Sequence, residues 1–345
     1  MNGHVANEAG KAFHCPAILF GPQYREPGTA ETVLAELAAR DPESAGVMRA
    51  FLLYYRGDRA GAVREAEALL TPDCRFETTL GASHILSLEA LYLGDTARWN
   101  AARDRIVKCE YASGEEYVLK ALFLAGLDGA LFAKDAFPRW LCEGCFDAVP
   151  AESYGVARYL YAKYLYMERR FSDLAAAVEP MISQSYMEKA LLSEIYLRII
   201  AAMGRYCTGE NDRAKRHLRR ALACALPDGL LAPFAEYRRQ LGPLLDETLR
   251  DVDAAALKTV IGLNDVILAG WTKLYNALYD KKYTNDLTAR EYDAARFALL
   301  DMNNAEIAGK MGISVNTVKL HLRNVYEKLG ISRRDELGPY IWEDR

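Results

Sequence analysis

The chain has 345 residues, of which 51% are hydrophobic and 26% are charged, and its formal net charge at pH 7 is −4. This length allows two or more hydrophobic cores, and the composition is that of an ordinary globular protein. The slight acidity excludes a basic surface spread over the whole molecule, so any basic surface is local.

Seven cysteines are spread along the chain, and an odd number of widely spaced cysteines is typical of reduced thiols in a cytoplasmic protein. They are Cys15, Cys74, Cys109, Cys142, Cys145, Cys207 and Cys224. Cys142 and Cys145 have the spacing of half a zinc site, but no second pair of ligands has a matching spacing. We therefore expect free, mostly buried thiols and no metal. No secretory start and no transmembrane segment is predicted, because the apolar stretches are short or interrupted by charge.

The first 28 residues contain helix-breaking pairs such as Gly21–Pro22 and Pro27–Gly28. They predict an irregular N-terminal arm that lies over the first helices. From residue 29 onward, leucine, alanine and tyrosine recur at spacings of three and four with almost no alternation, which predicts an all-α protein. The first five predicted helices are Ala30–Ala39, Glu43–Tyr55, Arg59–Leu70, Phe76–Leu93 and Ala97–Cys109.

A helical hairpin repeats along this region. Tyr55–Ala60 resembles Tyr92–Ala97 after a shift of 37 residues, and further copies fall at Met167–Phe171 and Thr208–Asn211, with a degenerate copy near Gly126–Gly129. Each hairpin leaves one face uncovered, so neighbouring hairpins must stack. We predict a superhelix with a concave groove over residues 29–279.

One predicted repeat helix carries a dense cluster of tyrosines, Tyr154, Tyr159, Tyr161, Tyr164 and Tyr166. Tyrosines on such a helix either pack against the neighbouring hairpin or form a ligand surface, and both interpretations stay open. If an effector or partner binds in the groove, Tyr154, Tyr161 and Tyr164 are the candidate contacts.

No catalytic constellation stands out. Ser83, His84 and Glu89 offer a serine, a histidine and a carboxylate on one helix, but no further element orients them. The phosphate-binding pattern G-x-x-x-x-G-K-[ST] is missing from the sequence, and so is the strand–helix alternation of a phosphorylatable receiver domain. We expect no catalytic residue, no cofactor and no enzymatic activity.

Two more helices, Val252–Leu263 and Val266–Tyr279, are predicted after the repeats. Residues 280–286 are charged and non-periodic, which indicates a linker. The remaining residues, 287–345, then form a separate C-terminal domain.

Four residues in this C-terminal domain are suited to begin helices, because their side chains can accept hydrogen bonds from first-turn amides. They are Thr288, Asn303, Ser314 and Ser332. Glu291 and Glu306 stand three residues after the first two, which completes two capping boxes. Met311–Ile313 is a short glycine-containing turn between two helices, and such a turn is the signature of a helix-turn-helix.

The third of these helices, Val315–Lys328, has an apolar stripe. Val318, Leu322, Val325 and Leu329 are spaced by four, three and four residues, so they share one helix face. This face is predicted to pack on the rest of the small domain.

The other face of the third helix is mostly polar. It carries Asn316, Lys319, Leu320, Arg323 and Glu327, with Thr317, His321, Asn324 and Lys328 in a row beside it. From Lys310 to Arg334, six lysines and arginines stand against one acidic residue, as expected beside a phosphate backbone. Cationic side chains match guanine edges, an amide matches adenine, and an aliphatic tip matches a thymine methyl group. The pattern predicts a recognition helix in the major groove of DNA, with the flanking row reaching phosphates.

These motifs resemble the LuxR/FixJ-type DNA-binding domain. They are Leu287-Thr288-x-Arg290-Glu291, Glu306-Ile307-Ala308, Ser314-x-Asn316-Thr317-Val318-Lys319-x-His321 and Lys328-Leu329. The resemblance implies that Lys319, Leu320 and Arg323 approach base edges and that Thr317 touches phosphate, while Asn316 and His321 match positions that are partly structural.

The chain departs from this family at three places. Ala294 and Ala295 stand where the family usually has larger aliphatic residues. Asp301 stands where the family usually has a glycine, and Gly338–Pro339 shortens the fourth helix, which is the usual dimer surface of the family.

The end of the repeat region, Arg220–Phe234 followed by Leu241–Leu245, resembles MalT-type regulators, in which tetratricopeptide-type (TPR-like) repeats precede a LuxR-type domain. The resemblance implies a bacterial-type transcriptional regulator. MalT-type regulators usually carry an ATPase module before the repeats, but we expect none here because the phosphate-binding pattern is missing. We expect a cytoplasmic protein that binds double-stranded promoter DNA as a homodimer or as an effector-induced assembly. It is expected to sense an effector or dock a protein in its repeat groove, with no role at a membrane. The alternatives are a protein-interaction scaffold whose tail serves as a docking module and, less favoured, a hydrolase within the superhelix.

Overall fold

The structure is a computed structural model that describes residue 24 and residues 26–341. These residues form α-helices, short 3-10 turns and connecting segments, without strands, which confirms the all-α class. The helices before the tail are α1 (Ala30–Arg40), α2 (Pro42–Arg56), α3 (Arg59–Leu69), α4 (Phe76–Leu93), α5 (Thr96–Lys108), α6 (Gly114–Ala130), α7 (Arg139–Cys142), α8 (Tyr154–Met167), α9 (Phe171–Met187), α10 (Leu191–Cys207), α11 (Asn211–Ala225), α12 (Ala232–Glu236), α13 (Arg238–Leu241), α14 (Pro243–Val252) and α15 (Ala254–Tyr279). The tail contains α16 (Ala289–Leu299), α17 (Asn304–Met311) and α18 (Val315–Leu329).

The predicted repeat turns are present at the first two positions. Gly57 and Gly94 end α2 and α4 in the left-handed conformation, with φ of 85° and 61°. The aspartate after each glycine then begins the next helix, because Asp58 accepts from the Gly61 amide and Asp95 accepts from the Arg98 amide. The same local chemistry therefore builds two successive hairpins, α2–α3 and α4–α5.

Two later turns also contain a residue in the left-handed conformation, but without the glycine–aspartate pair. Arg169 and Gly209 have φ of 56° and 81° between α8–α9 and α10–α11, at the positions that the repeat predicts. The predicted degenerate copy is misplaced, because Gly126 and Gly129 lie inside α6 and the left-handed residue is Phe132, with φ of 55°. That turn carries no glycine, so composition alone did not reveal it.

The C-terminal part of the repeat region packs back on its beginning. Helix α15 packs along α4, and α12 packs against α2. Gly270 of α15 lies so close to α4 that a Cβ at this position would stand 2.1 Å from the Tyr92 carbonyl oxygen. The predicted groove is therefore covered on one side by α15, while the assignment of the array to a named repeat class stays a prediction.

The prediction of two helices over 252–279 is wrong, since α15 is one continuous helix. Asn264, which lies between the two predicted helices, is buried, and its side-chain amide donates to the Ala235 carbonyl at 2.9 Å. Its polarity is thus satisfied by α12 and does not end the helix. By length and composition, α15 is the one helix among the described residues that could span a membrane, and Val260, Trp271 and Leu274 bury one side of it in the repeat core.

The end of the predicted N-terminal arm is attached to the turn after α11 rather than to the first helices alone. Tyr24 is fully buried, and its hydroxyl donates to Asp228 at 2.6 Å. The Gly28 amide donates to the same carboxylate at 2.5 Å, and the Tyr24 carbonyl accepts from the Leu191 amide. The rest of the arm, including Cys15, lies outside the described residues.

Two separate hydrophobic cores divide the described chain. One fills the repeat region, and the other joins α16, α17, α18 and the segment up to Ile341. The connection between them is fastened at several points, because Thr272 donates to Asn285 at 2.8 Å and Asn276 donates to the Tyr283 carbonyl at 2.8 Å. The exact boundaries of the linker, 280–286, remain a prediction.

Candidate nucleic-acid interface

Capping boxes begin the first two helices of the tail. The Thr288 hydroxyl accepts from the Glu291 amide at 3.3 Å, and the Glu291 carboxylate accepts from the Thr288 amide at 2.8 Å. Asn303 and Glu306 exchange the same pair of bonds at 3.1 and 2.7 Å. Both predicted helix starts are confirmed, and each satisfies amides that a first turn leaves unpaired.

A sharp corner joins α17 to α18. Gly312 adopts the left-handed conformation with φ of 64°, and the Ile313 amide returns to the Ala308 carbonyl at 3.1 Å. Ser314 then caps α18 by accepting from the Thr317 amide at 3.1 Å. These residues form the predicted helix-turn-helix corner. The predicted cap at Ser332 is wrong, because the residue before the short 3-10 turn Arg334–Glu336 is Arg333.

Helix α18 has the two faces that its sequence predicts. Val318 and Val325 are fully buried in the tail core and Leu322 is 5% exposed, whereas Leu320 is 45% exposed. The Arg323 side chain is 68% exposed, although its Nε atom lies 3.9 Å from Glu327. An exposed pair at this distance contributes little, so the guanidinium is available to a partner.

The predicted contact residues divide by exposure. Asn316, Lys319, Leu320 and Arg323 are exposed along one face of α18. Thr317, His321 and Asn324 are half-buried beside that face, and the Thr317 hydroxyl lies 2.8 Å from the Ser314 hydroxyl. The structure thus brings the predicted base-reading set together on one open surface.

Lys328 is anchored within the protein. Its Nζ lies 2.6 Å from the buried Glu291 carboxylate and 3.2 Å from the Asp286 carbonyl oxygen. Burial alone would raise the pKa of Glu291, but hydrogen bonds from Lys328 and Thr288 lower it to about 2. The predicted phosphate contact of Lys328 is untested, and the ion pair gives this side chain a second task, which is to fix α18 against α16 and the linker.

Arg334 has a structural role. By sequence it counts only as one of six basic residues expected beside a phosphate backbone. Its guanidinium donates to the Ala298 carbonyl at 2.9 Å and also to the Met302 carbonyl, which satisfies acceptors at the end of α16. Asp301 lies in the same corner with φ of 58°, the left-handed conformation that a glycine would adopt without strain. Among the described residues, the fourth helix is reduced to the 3-10 turn Arg334–Glu336.

The three candidate tyrosines of α8 are half-buried and pack against the repeat core. Tyr154 lies under the Arg158 guanidinium, Tyr161 packs edge-on against Phe146, and Tyr164 packs against Phe137. Their groove assignment is untested. Tyr159 of the same helix points inward, and its hydroxyl lies 2.6 Å from that of Tyr237.

Within the part of the chain that the structure describes, no three His, Cys, Asp or Glu side chains gather as metal ligands, and Cys142 and Cys145 are free thiols.

Comparison with known proteins gives matches to the tail. Residues 285–339 match the family model for bacterial regulatory proteins of the luxR family. The HTH-type transcriptional regulator MalT of Serratia proteamaculans is 38% identical over 53 residues, which is 15% of this chain and 6% of that protein. The probable transcriptional regulatory protein SgaR of Hyphomicrobium methylovorum is 50% identical over 48 residues, which is 14% of this chain and 23% of that protein.

The chain thus spans less than a quarter of the length of these curated relatives, and both alignments fall in its C-terminal region. No solved structure is significantly similar to the chain.

Proposed function

We propose, from the LuxR-type helix-turn-helix domain that residues 285–339 form, that this chain binds double-stranded DNA and regulates transcription. The observation that carries the proposal is the arrangement of α18. Its apolar face is locked in the tail core, and its opposite face exposes Asn316, Lys319, Leu320 and Arg323. A helix held in this way can enter a major groove without rearrangement of the domain.

Each exposed side chain has a chemical partner on a base edge. Lys319 and Arg323 donate to guanine O6 and N7, Asn316 bonds the edge of adenine, and Leu320 contacts a thymine methyl group. Thr317 and Asn324, beside this face, are suited to phosphate oxygens. These assignments are proposals for the chain and rest on exposure and side-chain chemistry.

The repeat region acts as the regulatory part of the molecule, by sensing an effector or docking a protein. Its contact with the tail supports this role, because the Arg239 guanidinium lies 4.0 Å from the centre of the Tyr292 ring on α16. A conformational change in the repeat region at this contact would alter the position of the DNA-binding domain. We place the protein in the cytoplasm, as a regulator rather than an enzyme, and expect two copies to bind adjacent half-sites.

A gel-shift titration of the full-length protein on fragments of genomic DNA tests the proposal. We expect a subset of fragments to shift at least tenfold more tightly than the rest at about 150 mM salt, with affinity falling steeply as salt rises. Equal and weak binding to all fragments would favour the alternative, a scaffold whose tail docks protein.

A further inference from the structure

A partly open cavity of about 140 Å³ lies inside the repeat region, beneath α15. Aromatic rings from several helices line it, including Tyr55, Tyr92, Phe123, Tyr196 and Trp271. An engineered apolar cavity of ~150 Å³ admits benzene. The space is therefore suited to a planar molecule of one or two rings.

The charged groups of the cavity are already compensated. Glu236 accepts hydrogen bonds from the Tyr54 hydroxyl at 2.8 Å and the Tyr196 hydroxyl at 3.0 Å. The Lys163 ammonium lies 4.9 Å from the centre of the Tyr237 ring, and its charge acts on Glu236. The charge of Arg239, the third charged residue in the lining, acts on Asp293. A charged ligand would find no uncompensated counter-charge here and would lose its hydration, so the cavity favours an uncharged one.

One buried acceptor in the wall has no partner. Gln240 is 5% exposed, and its Oε1 atom has no hydrogen-bond donor among the described residues. The Nδ1 atom of His84, also in the wall, lacks a partner as well, and burial lowers the pKa of this imidazole to about 4, so it is neutral. The indole N–H of Trp271, by contrast, donates to the Ala130 carbonyl at 3.0 Å. A buried acceptor without a donor is costly, which points to a ligand that supplies one.

We propose that this cavity binds a small, planar, uncharged aromatic molecule that carries an N–H or O–H donor, and that its occupancy is transmitted to the DNA-binding domain. Aromatic walls select the flat apolar body, and Gln240 Oε1 receives the donor. The regulatory half of this proposal rests on the proposed function, while the binding half stands without it.

Two connections join the cavity wall to the tail. Arg239 lines the cavity beside Gln240 and stacks on Tyr292 of α16. Leu268 also lines the cavity, and its carbonyl accepts from the Asn285 side chain of the linker at 3.2 Å. A ligand that displaces Arg239 or Leu268 would therefore change the contacts that position the tail.

Calorimetric titration of the full-length protein with indole and with benzofuran tests the binding half. The two probes have the same shape, but only indole has an N–H donor. We expect both to bind, with indole about tenfold tighter because it alone satisfies Gln240 Oε1. No binding of either probe at millimolar concentration, or equal affinity for the two, would overturn the assignment.

Two substitutions test whether the probes bind in this cavity. Gln240→Met keeps the side-chain length and should lower indole affinity to that of benzofuran while leaving benzofuran unchanged. Ala130→Phe should fill the cavity and abolish binding of both probes, whereas the exposed Ala101→Phe on α5 should not. Undiminished binding by Ala130→Phe would place the probes elsewhere. If that variant does not fold, the Gln240→Met comparison decides the question.

DNA affinity measured with and without saturating indole tests the transmission. We expect a change of at least about fivefold in the wild type and none in Tyr292→Leu, which lacks the stacking partner of Arg239. Unchanged wild-type affinity would overturn the transmission. Indole binding without any DNA binding would instead refute the proposed function and leave the cavity assignment intact.

Discussion

Lys319 and Arg323 are four residues apart on α18, about one helical turn, so both cations point toward the same stretch of a docked groove. We predict that Lys319→Ala or Arg323→Ala costs about 1–3 kcal/mol of binding free energy on a preferred site and relaxes base preference. Titration on preferred and random duplexes measures both effects. Lys258→Ala, which removes an exposed cation from α15, is the control and should change neither affinity. Equal loss on both duplexes would identify Lys319 and Arg323 as phosphate contacts.

The Glu291–Lys328 pair makes the stability of the tail depend on pH. The pKa of Glu291 is lowered from 4.5 to about 2 in the folded chain, so its contribution is present above pH 4.5 and is lost as the pH falls toward 2. We predict that the protection of α16 amides against hydrogen exchange, relative to the intrinsic rate at each pH, falls over this interval in the wild type. Glu291→Gln should exchange faster at pH 7 and show a flatter acid dependence. An unchanged acid profile in this variant would exclude Glu291 as the source.

Sequence predicted the exposed residues of α18 better than the anchored ones. Spacing alone separates Val318 and Leu322 from Lys319 and Arg323, because a helix face is a local property. The internal roles of Lys328 and Arg334 depend on α16, which is remote in sequence. In the sequence, a lysine or arginine that pairs with a buried carboxylate or with helix-end carbonyls looks the same as one that binds phosphate.

At the scale of elements, the turn after α16 is held by a non-glycine residue with positive φ. A side chain in the left-handed conformation costs roughly 1–2 kcal/mol relative to glycine, partly offset by the flexibility that glycine has when unfolded. We predict that Asp301→Gly raises the free energy of unfolding of the tail by up to about 1 kcal/mol. Chemical denaturation measures the change. Asp301→Ala retains the Cβ and should give no such gain, so equal stabilisation by both would rule out backbone strain as the cause.

Two glycines of α15 give opposite predictions. Gly270→Ala would bring a Cβ to 2.1 Å from the Tyr92 carbonyl oxygen, which forces α15 away from α4. We expect a loss of about 1–3 kcal/mol in thermal or chemical unfolding. Gly262→Ala, on the same helix with no atom within 4 Å of the added Cβ, should stabilise by about 0.5–1 kcal/mol. Tolerance of Gly270→Ala would show that α15 is not packed on α4 in solution.

The helices themselves were largely predictable, and their packing was not. The five predicted helices between Ala30 and Cys109 agree with α1–α5 to within one residue at each end, because glycine–aspartate turns and apolar spacing are local signals. The continuity of α15 depends on α12, which supplies the acceptor for Asn264. Contact with another helix therefore keeps a buried polar residue inside a continuous helix, and the local sequence pattern does not show that contact.

At the scale of the whole molecule, the packing of α15 on α4 covers a partly open cavity whose lining includes many aromatic residues. The sequence predicts tyrosines as candidate ligand contacts, but it places them in a cluster on one helix. The cavity instead draws single residues from helices far apart in the chain, such as Tyr55, Tyr196 and Trp271. Only long-range packing brings these residues together, so periodicity in one segment could not predict the site.

The most direct test of the central claim, that α18 reads DNA sequence, is selection of duplexes from a random pool by the full-length protein. The wild type and the double variant Lys319→Ala/Arg323→Ala are compared at equal salt. The wild type should enrich a defined motif, with half-sites about one helical turn apart, and the double variant should lose this motif while keeping weak general binding. Recovery of no motif by the wild type, or of the same motif by the double variant with equal enrichment, would contradict the central claim.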